Sequence, residues 1–101
     1  MGVLDIIAGR PSSTPHDEAL AHAEHGVTIY WRPGCPFTAR LRMVIRSHRD
    51  RARWVNIWED EAGRRFVASV NDGNETVPTV VIDGIPHTNP DPSLVKAALS
   101  R

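Results

Sequence analysis

The stretch "WRPGCPFTAR" (residues 31–40) carries the one cysteine of the chain, Cys35. A cysteine at or just before a helix start is placed to become a nucleophile. The free N–H groups of the first turn and the positive end of the helix dipole face the sulfur and favour thiolate, lowering the thiol below its free value of about 8.5. Pro36 suits the first helical position, where no N–H donor is needed. Arg32, shortly before the cysteine, adds a nearby cation. The competing role is a buried structural thiol, because free cysteine is among the most buried residue types. Pro33, Gly34 and Pro36 around it predict an exposed turn instead, and hence a reactive thiol. A single cysteine excludes an intrachain disulfide and a multi-cysteine zinc site. His16, His22 and His25 cluster in sequence, but a metal would need more ligands. They read as solvated helix histidines, and no metal site is expected.

Size and composition point to one compact domain. The chain has 101 residues, 41% hydrophobic and 24% charged, an ordinary balance for a globular protein. Twelve basic and twelve acidic residues cancel, so charge gives no reason to expect nucleic acid or an anionic membrane as a partner. No stretch approaches transmembrane length. The opening "MGVLDIIAG" has its apolar run broken by Asp5 and no basic residues ahead of it, so it is not expected to act as a signal. It also lacks the Ser or Thr of a myristoylation motif. A cytoplasmic setting is expected, since small secreted domains usually carry several cysteines.

Cys35 falls between a strand and a helix. "VTIYWR" (27–32) is β-branched and aromatic, with Val27, Ile29 and Trp31 alternating against Thr28, Tyr30 and Arg32. After the Pro-Gly break, Phe37, Leu41, Val44, Ile45 and His48 recur at helical spacing, predicting a helix to about His48. "ARWVNIW" (52–58) is a second strand, and "EDEAGRRFVASVN" (59–71) a second helix burying Phe66, Val67 and Val70. "TVVID" (79–83) is a third strand, and the Asp83-Gly84 turn folds "PHT" (86–88) back as a fourth. "NPDPSLVKAALS" (89–100) is a last helix, with Asp91 as N-cap and a stripe of Leu94, Val95, Ala98 and Leu99. Ahead of these, residues 1–15 read as a loose arm and "HDEALAHAEHG" as a short helix closed by Gly26. The order is βαβαββα, a mixed four-stranded sheet with three flanking helices. Residues 1–25 form an extension, partly flexible or a short helix, and 26–101 the domain. Ligand sites in such α/β sheets gather at the carboxyl ends of strands, where Cys35 lies.

The strand followed by "RPGCPFT", then "TVPT", then "DGIPHTN" resembles the glutaredoxin branch of the thioredoxin fold. "VNDGNETVPTVVIDG" is most similar to the mycoredoxins, actinobacterial glutaredoxin-like proteins that work with mycothiol. The resemblance implies a thioredoxin-like fold and a thiol–disulfide oxidoreductase with Cys35 as its nucleophile. It implies that Pro78 is a cis-proline beside the sulfur, and that the Val77 backbone pairs with the peptide-like part of a bound small thiol, mycothiol or glutathione. Arg32 stands where the family often places a basic residue for that thiol's carboxylate. Thr88 and Asn89, with Pro90 and Asp91, match the segment that holds the ligand's other end, although capping explains Asn89 and Asp91 as well. Trp31 and Phe37 flank the thiol and could line a groove; strand alternation places Trp31 equally well in the core. Pro36 and Thr38 join Arg32 as support for the thiolate.

The departure from the family is Thr38. Most mycoredoxins and dithiol glutaredoxins carry a second cysteine there. Without it only a monothiol cycle remains, with thiolated proteins and small thiols as partners. The expected state is a monomer, with Cys35 open to an intermolecular disulfide. A second reading is iron–sulfur carriage, since some monothiol glutaredoxins bridge a [2Fe–2S] cluster between two subunits. Phe37 and Thr38 loosely echo their Phe-Ser, but Pro36 replaces their glycine, and their Trp-Pro and Gly-Gly motifs are missing. A third is a redox sensor or binding protein with no efficient turnover.

Overall fold

The computed structural model describes residues 13–101. Most of the arm expected over residues 1–15 therefore lies outside the described residues. The elements are α1 (His16–Ala21), β1 (Val27–Trp31), α2 (Pro36–Val44), a 3-10 turn (Arg49–Arg51), β2 (Arg53–Asn56), α3 (Glu61–Val70), β3 (Thr79–Ile82), β4 (Ile85–Thr88) and α4 (Pro92–Leu99). The strands form one mixed sheet in the order β2-β1-β3-β4, with β1 parallel to β2 and antiparallel to β3, and β3 antiparallel to β4. This is the sheet that the element order predicts, with four helices around it.

β1 is interior to the sheet, and all five of its residues are buried. Its sequence alternation therefore separates two cores rather than core from solvent. Val27, Ile29 and Trp31 pack with Leu41, Ile45, Trp54, Val80, Val95 and Leu99 under α2 and α4. Tyr30 packs on the other face with Ala19, Val55, Ile57, Val67 and Val81, under α1 and α3. Helices on both faces are the reason: with α2 and α4 over one face and α1 and α3 over the other, the strand has no solvent side.

The second face is held by a polar joint. Asp60 caps α3, its carboxylate accepting from the Gly63 N–H at 2.9 Å, and its other oxygen accepts from the His16 N–H at 2.7 Å. The His16 ring then meets the Tyr30 hydroxyl at 2.8 Å and packs against Phe66. His16 is thus buried, which corrects its reading as a solvated helix histidine; His22 and His25 are exposed. Such aromatic contacts contribute about 0.5–1.5 kcal/mol each. Burial, and then the Asp60 charge, pushes the Tyr30 phenol far above its ordinary range, so it remains protonated. The edge strand β2 is also covered: Thr14 N–H donates to the Trp54 carbonyl at 2.6 Å, and Ser13 Oγ accepts from Asn56 N–H at 3.4 Å.

Several boundaries differ from the expected ones. α2 ends at Val44, short of His48, because the chain tightens there: Arg46 N–H reaches back to Met43 and His48 N–H to Ile45. Ile45 still fills the core, so the apolar spacing continues past the helix. The 3-10 turn that follows is pinned by Trp54 Nε1–H donating to the Arg49 carbonyl at 2.9 Å. α1 stops at Ala21, so Gly26 does not close it; Gly26 instead takes φ +81° in the turn into β1 and donates to Asp83. On α4, Val95 and Leu99 are buried but Leu94 faces solvent.

One helical glycine tests the packing. Replacing glycine by alanine inside a helix normally stabilises by about 1 kcal/mol. At Gly63 a Cβ would lie 2.9 Å from Val55 Cγ1, a methyl of a fully buried, β-branched side chain. Overpacking of this kind costs about 1–3 kcal/mol. Gly63→Ala is therefore expected to destabilise the protein in urea unfolding, against its local helix propensity.

Candidate functional site

Cys35 is the N-cap of α2, with extended backbone (φ −85°, ψ 118°) and Pro36 in the first turn. The turn before it remains on the surface, with Gly34 exposed at φ +79°. Cys35 itself is only 6% exposed, which corrects the expectation of an exposed position. The cover comes from far along the chain: Val77 packs on it, and its thiol donates to the Val77 carbonyl across 3.6 Å. The Val77–Pro78 peptide bond is cis.

Opposing influences act on the sulfur. Burial pushes the Cys35 thiol up. The Thr38 N–H, the Thr38 hydroxyl, the Phe37 N–H and the Arg32 guanidinium together outweigh it and hold the thiol below its ordinary value. Thr38 Oγ1 is buried and makes no hydrogen bond to a neutral neighbour. Its acceptor is the sulfur once ionised, and an ionised sulfur accepting from such donors is stabilised. Val77 has the reverse preference, since its carbonyl can only accept from the protonated thiol.

Two depressions flank the cysteine. One, of about 460 Å³, is lined by Trp31, Arg32, Pro33, Cys35, Thr38 and Arg42, among others. A smaller one, of about 120 Å³, brings Phe37 and Pro78 together with Arg40, Asn89 and Asp91. Arg32 thus shares a cleft with the sulfur. Phe37 is exposed and Trp31 is buried in the core while also walling the larger cleft. The Asn89 N–H donates to the Pro78 carbonyl at 2.8 Å, tying the two together. Thr88 lines neither depression; its hydroxyl donates to Asn71. Asp91 caps α4 through the Ser93 N–H, and that bond, with the Ser93 hydroxyl and then Arg40, holds its carboxyl below the usual range.

Arg40 and Arg42 line these depressions but are not among the site residues expected from the sequence. The available signal was spacing: Arg42 lies one helical turn beyond Thr38, at i+4. Among the described residues no group of three or more His, Cys, Asp or Glu gathers as a metal site, and no helix is long and apolar enough to cross a membrane.

This geometry has a direct readout. Alkylation of Cys35 is expected to rise with pH through a midpoint below that of an ordinary thiol, since the thiolate is the nucleophile. Thr38→Val removes one donor to the thiolate and should move that midpoint up, while Thr38→Ser should keep it. The same Thr38→Val change removes a buried hydroxyl lacking a neutral partner, which costs about 1–3 kcal/mol. It should therefore leave the protein as stable or more stable at acid pH. A Thr38→Val midpoint at or below that of the parent would refute the role of the hydroxyl.

Comparisons with known proteins agree on the architecture and lineage. A family model described as Glutaredoxin matches residues 27–85. A Mycobacterium tuberculosis protein provisionally named a glutaredoxin is 42% identical over 74 residues, covering 72% of this chain and 88% of that protein. Mycoredoxin 1 of Corynebacterium glutamicum is 38% identical over 65 residues, covering 63% of this chain and 80% of that protein. Among solved structures, a thioredoxin-like protein superposes with a TM-score of 0.59 at 22% identity, covering 72% of this chain and 97% of its own. A Malassezia sympodialis thioredoxin gives 0.51 at 19% identity, covering 90% of each chain. The fold is thioredoxin-like.

Proposed function

This chain belongs to the glutaredoxin family, and from that premise we propose that it is a monothiol thiol–disulfide oxidoreductase acting on mixed disulfides between proteins and a small thiol. The observation that carries this reading is the Cys35 sulfur: an N-cap thiol held below its ordinary value, with Arg32 in the same cleft and the Val77 carbonyl against it.

The cycle needs one cysteine. The Cys35 thiolate attacks the small-thiol sulfur of a protein mixed disulfide. The old S–S bond breaks, the protein leaves as its thiolate and takes a proton, and a new disulfide joins Cys35 to the small thiol. A second small thiol, as thiolate, attacks the small-thiol sulfur of that adduct. Cys35 departs as thiolate, and the two small thiols leave as their own disulfide. The protein sulfur has been reduced and one free small thiol oxidised; the other small-thiol sulfur was already at the disulfide level in the mixed disulfide. A low thiol pKa helps each half: it raises the thiolate fraction for attack and makes Cys35 the better leaving group. Thr38 occupies the position from which a second cysteine would otherwise resolve the adduct, so turnover depends on the free small thiol.

Several residues support binding in this reading. Arg32 holds a carboxylate of the small thiol, Phe37 and Pro78 wall its groove, and the Val77 backbone pairs with its peptide-like part. Asn89, at the mouth of the smaller depression beside Pro78, contacts the far end. Thr88 acts behind Asn89, since its hydroxyl is engaged with Asn71. Mycothiol is favoured as the small thiol over glutathione by the similarity to mycoredoxin 1, and the setting is cytoplasmic.

Mass spectrometry of Cys35 after exposure to oxidised mycothiol and to oxidised glutathione, followed by turnover with each reduced thiol, tests the proposal. The parent should form a Cys35 adduct and turn over, faster with mycothiol. Cys35→Ser should lose all activity. An adduct with neither thiol, or full activity in Cys35→Ser, would overturn the reading.

A further inference from the structure

Three successive carbonyls at the head of β3 are each fixed by a different donor. The Thr76 carbonyl accepts from the Thr79 hydroxyl at 2.7 Å, the Val77 carbonyl from the Cys35 thiol at 3.6 Å, and the Pro78 carbonyl from the Asn89 N–H at 2.8 Å. Only the middle one faces the sulfur. The outer two hold the segment from either side.

The first of these clamps has a source outside the turn. The Thr79 hydroxyl, on a fully buried residue, accepts from Asn71 Nδ2 at 3.0 Å while it donates to Thr76. The other Nδ2 hydrogen of Asn71 goes to the Val67 carbonyl at 2.8 Å, and its Oδ1 accepts from the Thr88 hydroxyl. Each polar atom of this amide is used, on three elements: α3, β3 and β4. Capping the end of α3 explains the bond to Val67, but not the reach to Thr79 and Thr88. A flipped amide would set its oxygen against the Val67 carbonyl, so the network fixes the orientation. The network is half-buried and centres on the fully buried Thr79 hydroxyl, so displacing Asn71 takes from that hydroxyl the donor it accepts from.

We infer that Asn71, acting through Thr79, is a positioning residue for the Cys35 site: it locks the Thr76–Pro78 segment so that the Val77 peptide is presented to the sulfur and to the bound small thiol. The part concerning the sulfur rests on geometry alone; the part concerning the small thiol rests on the proposed oxidoreductase activity.

The consequence has a sign that ordinary loosening of the fold does not share. The Val77 carbonyl accepts from the protonated thiol and opposes negative charge on the sulfur. Releasing it removes an interaction that favours the thiol, while the Thr38 and Phe37 donors that favour the thiolate stay in place. The thiol midpoint should fall. Partial unfolding does the reverse, returning the sulfur to the ordinary thiol value, which lies above that of the native protein.

The test compares Thr79→Val, Asn71→Ala and Thr79→Ser in the full chain. Alkylation of Cys35 by iodoacetamide is followed against pH, and steady-state turnover of a small-thiol mixed disulfide is measured alongside. Thr79→Val and Asn71→Ala are expected to lower the alkylation midpoint and to raise KM about fivefold with kcat little changed, as lost uniform binding requires. Thr79→Ser keeps the hydroxyl and should match the parent. A midpoint in Thr79→Val that stays put or moves up, with unfolding still cooperative, overturns the inference. A lowered midpoint with unchanged KM upholds the positioning of the sulfur and removes the small-thiol part. Should Asn71→Ala fail to fold, Thr79→Val decides alone. If the parent itself turns over no mixed disulfide, the oxidoreductase reading fails, and the alkylation measurement still decides the role of Asn71.

Discussion

The Cys35 sulfur stands between donors that want it ionised and an acceptor that wants it protonated. The Thr38 and Phe37 N–H groups and the Thr38 hydroxyl lie on the α2 side, and the Val77 carbonyl lies across from them at 3.6 Å. Burial adds to the carbonyl's side, yet the donors win and the thiol is held low. Helix capping alone would give a thiolate with no defined approach. The carbonyl alone would give an inert buried thiol. Together they place a nucleophile that is sheltered from bulk water and still open along one side.

The rest of the fold keeps those two surfaces in register. β1 delivers the chain to the α2 N-terminus, and its pairing with β3 brings Tyr30 opposite Thr79, directly after the Val77–Pro78 segment. A sheet side chain has little freedom to drift when both faces of its strand are packed. β1 has that condition because α2 and α4 close one face and α1 and α3 the other. The Asp60 joint matters here: it accepts from the start of α1 and the start of α3, so the helices over the Tyr30 face are keyed to each other. The Asn71 amide performs the matching task at the other end of α3, on the strands that carry Val77.

Thr38 gives the site its particular character. It is buried, and its hydroxyl is oriented by the first turn of α2 toward the sulfur. A threonine there stabilises charge on Cys35 without offering a second sulfur. Arg32 adds to this at longer range. It shares the larger cleft with the sulfur and helps hold the thiol low, although the chain as a whole carries zero net charge. Local field, not net charge, is what an anionic small thiol would meet.

The sequence by itself determined the elements and the placement of Cys35 on them. Strand alternation, a Pro-Gly break, a proline at N1, an Asp N-cap ahead of α4 and an Asp-Gly hairpin turn all act over a few residues, where backbone sterics and local hydrogen bonds decide. Features that depend on packing were less legible: the burial of all of β1 follows from neighbours distant in sequence. Only the tertiary structure decided that Cys35 is covered, because its cover is a residue 42 positions away. It likewise decided that His16 is a core residue, since the Tyr30 hydroxyl and Asp60 come to it from other elements. Asn71 is the plainest case. In sequence it is one polar residue among several that stop a helix; its role exists only because β3 and β4 bring Thr79 and Thr88 to its amide. Spacing along a chain reports contacts within a turn or two, whereas a sulfur's protonation depends on whatever dipoles the fold carries to within hydrogen-bond range.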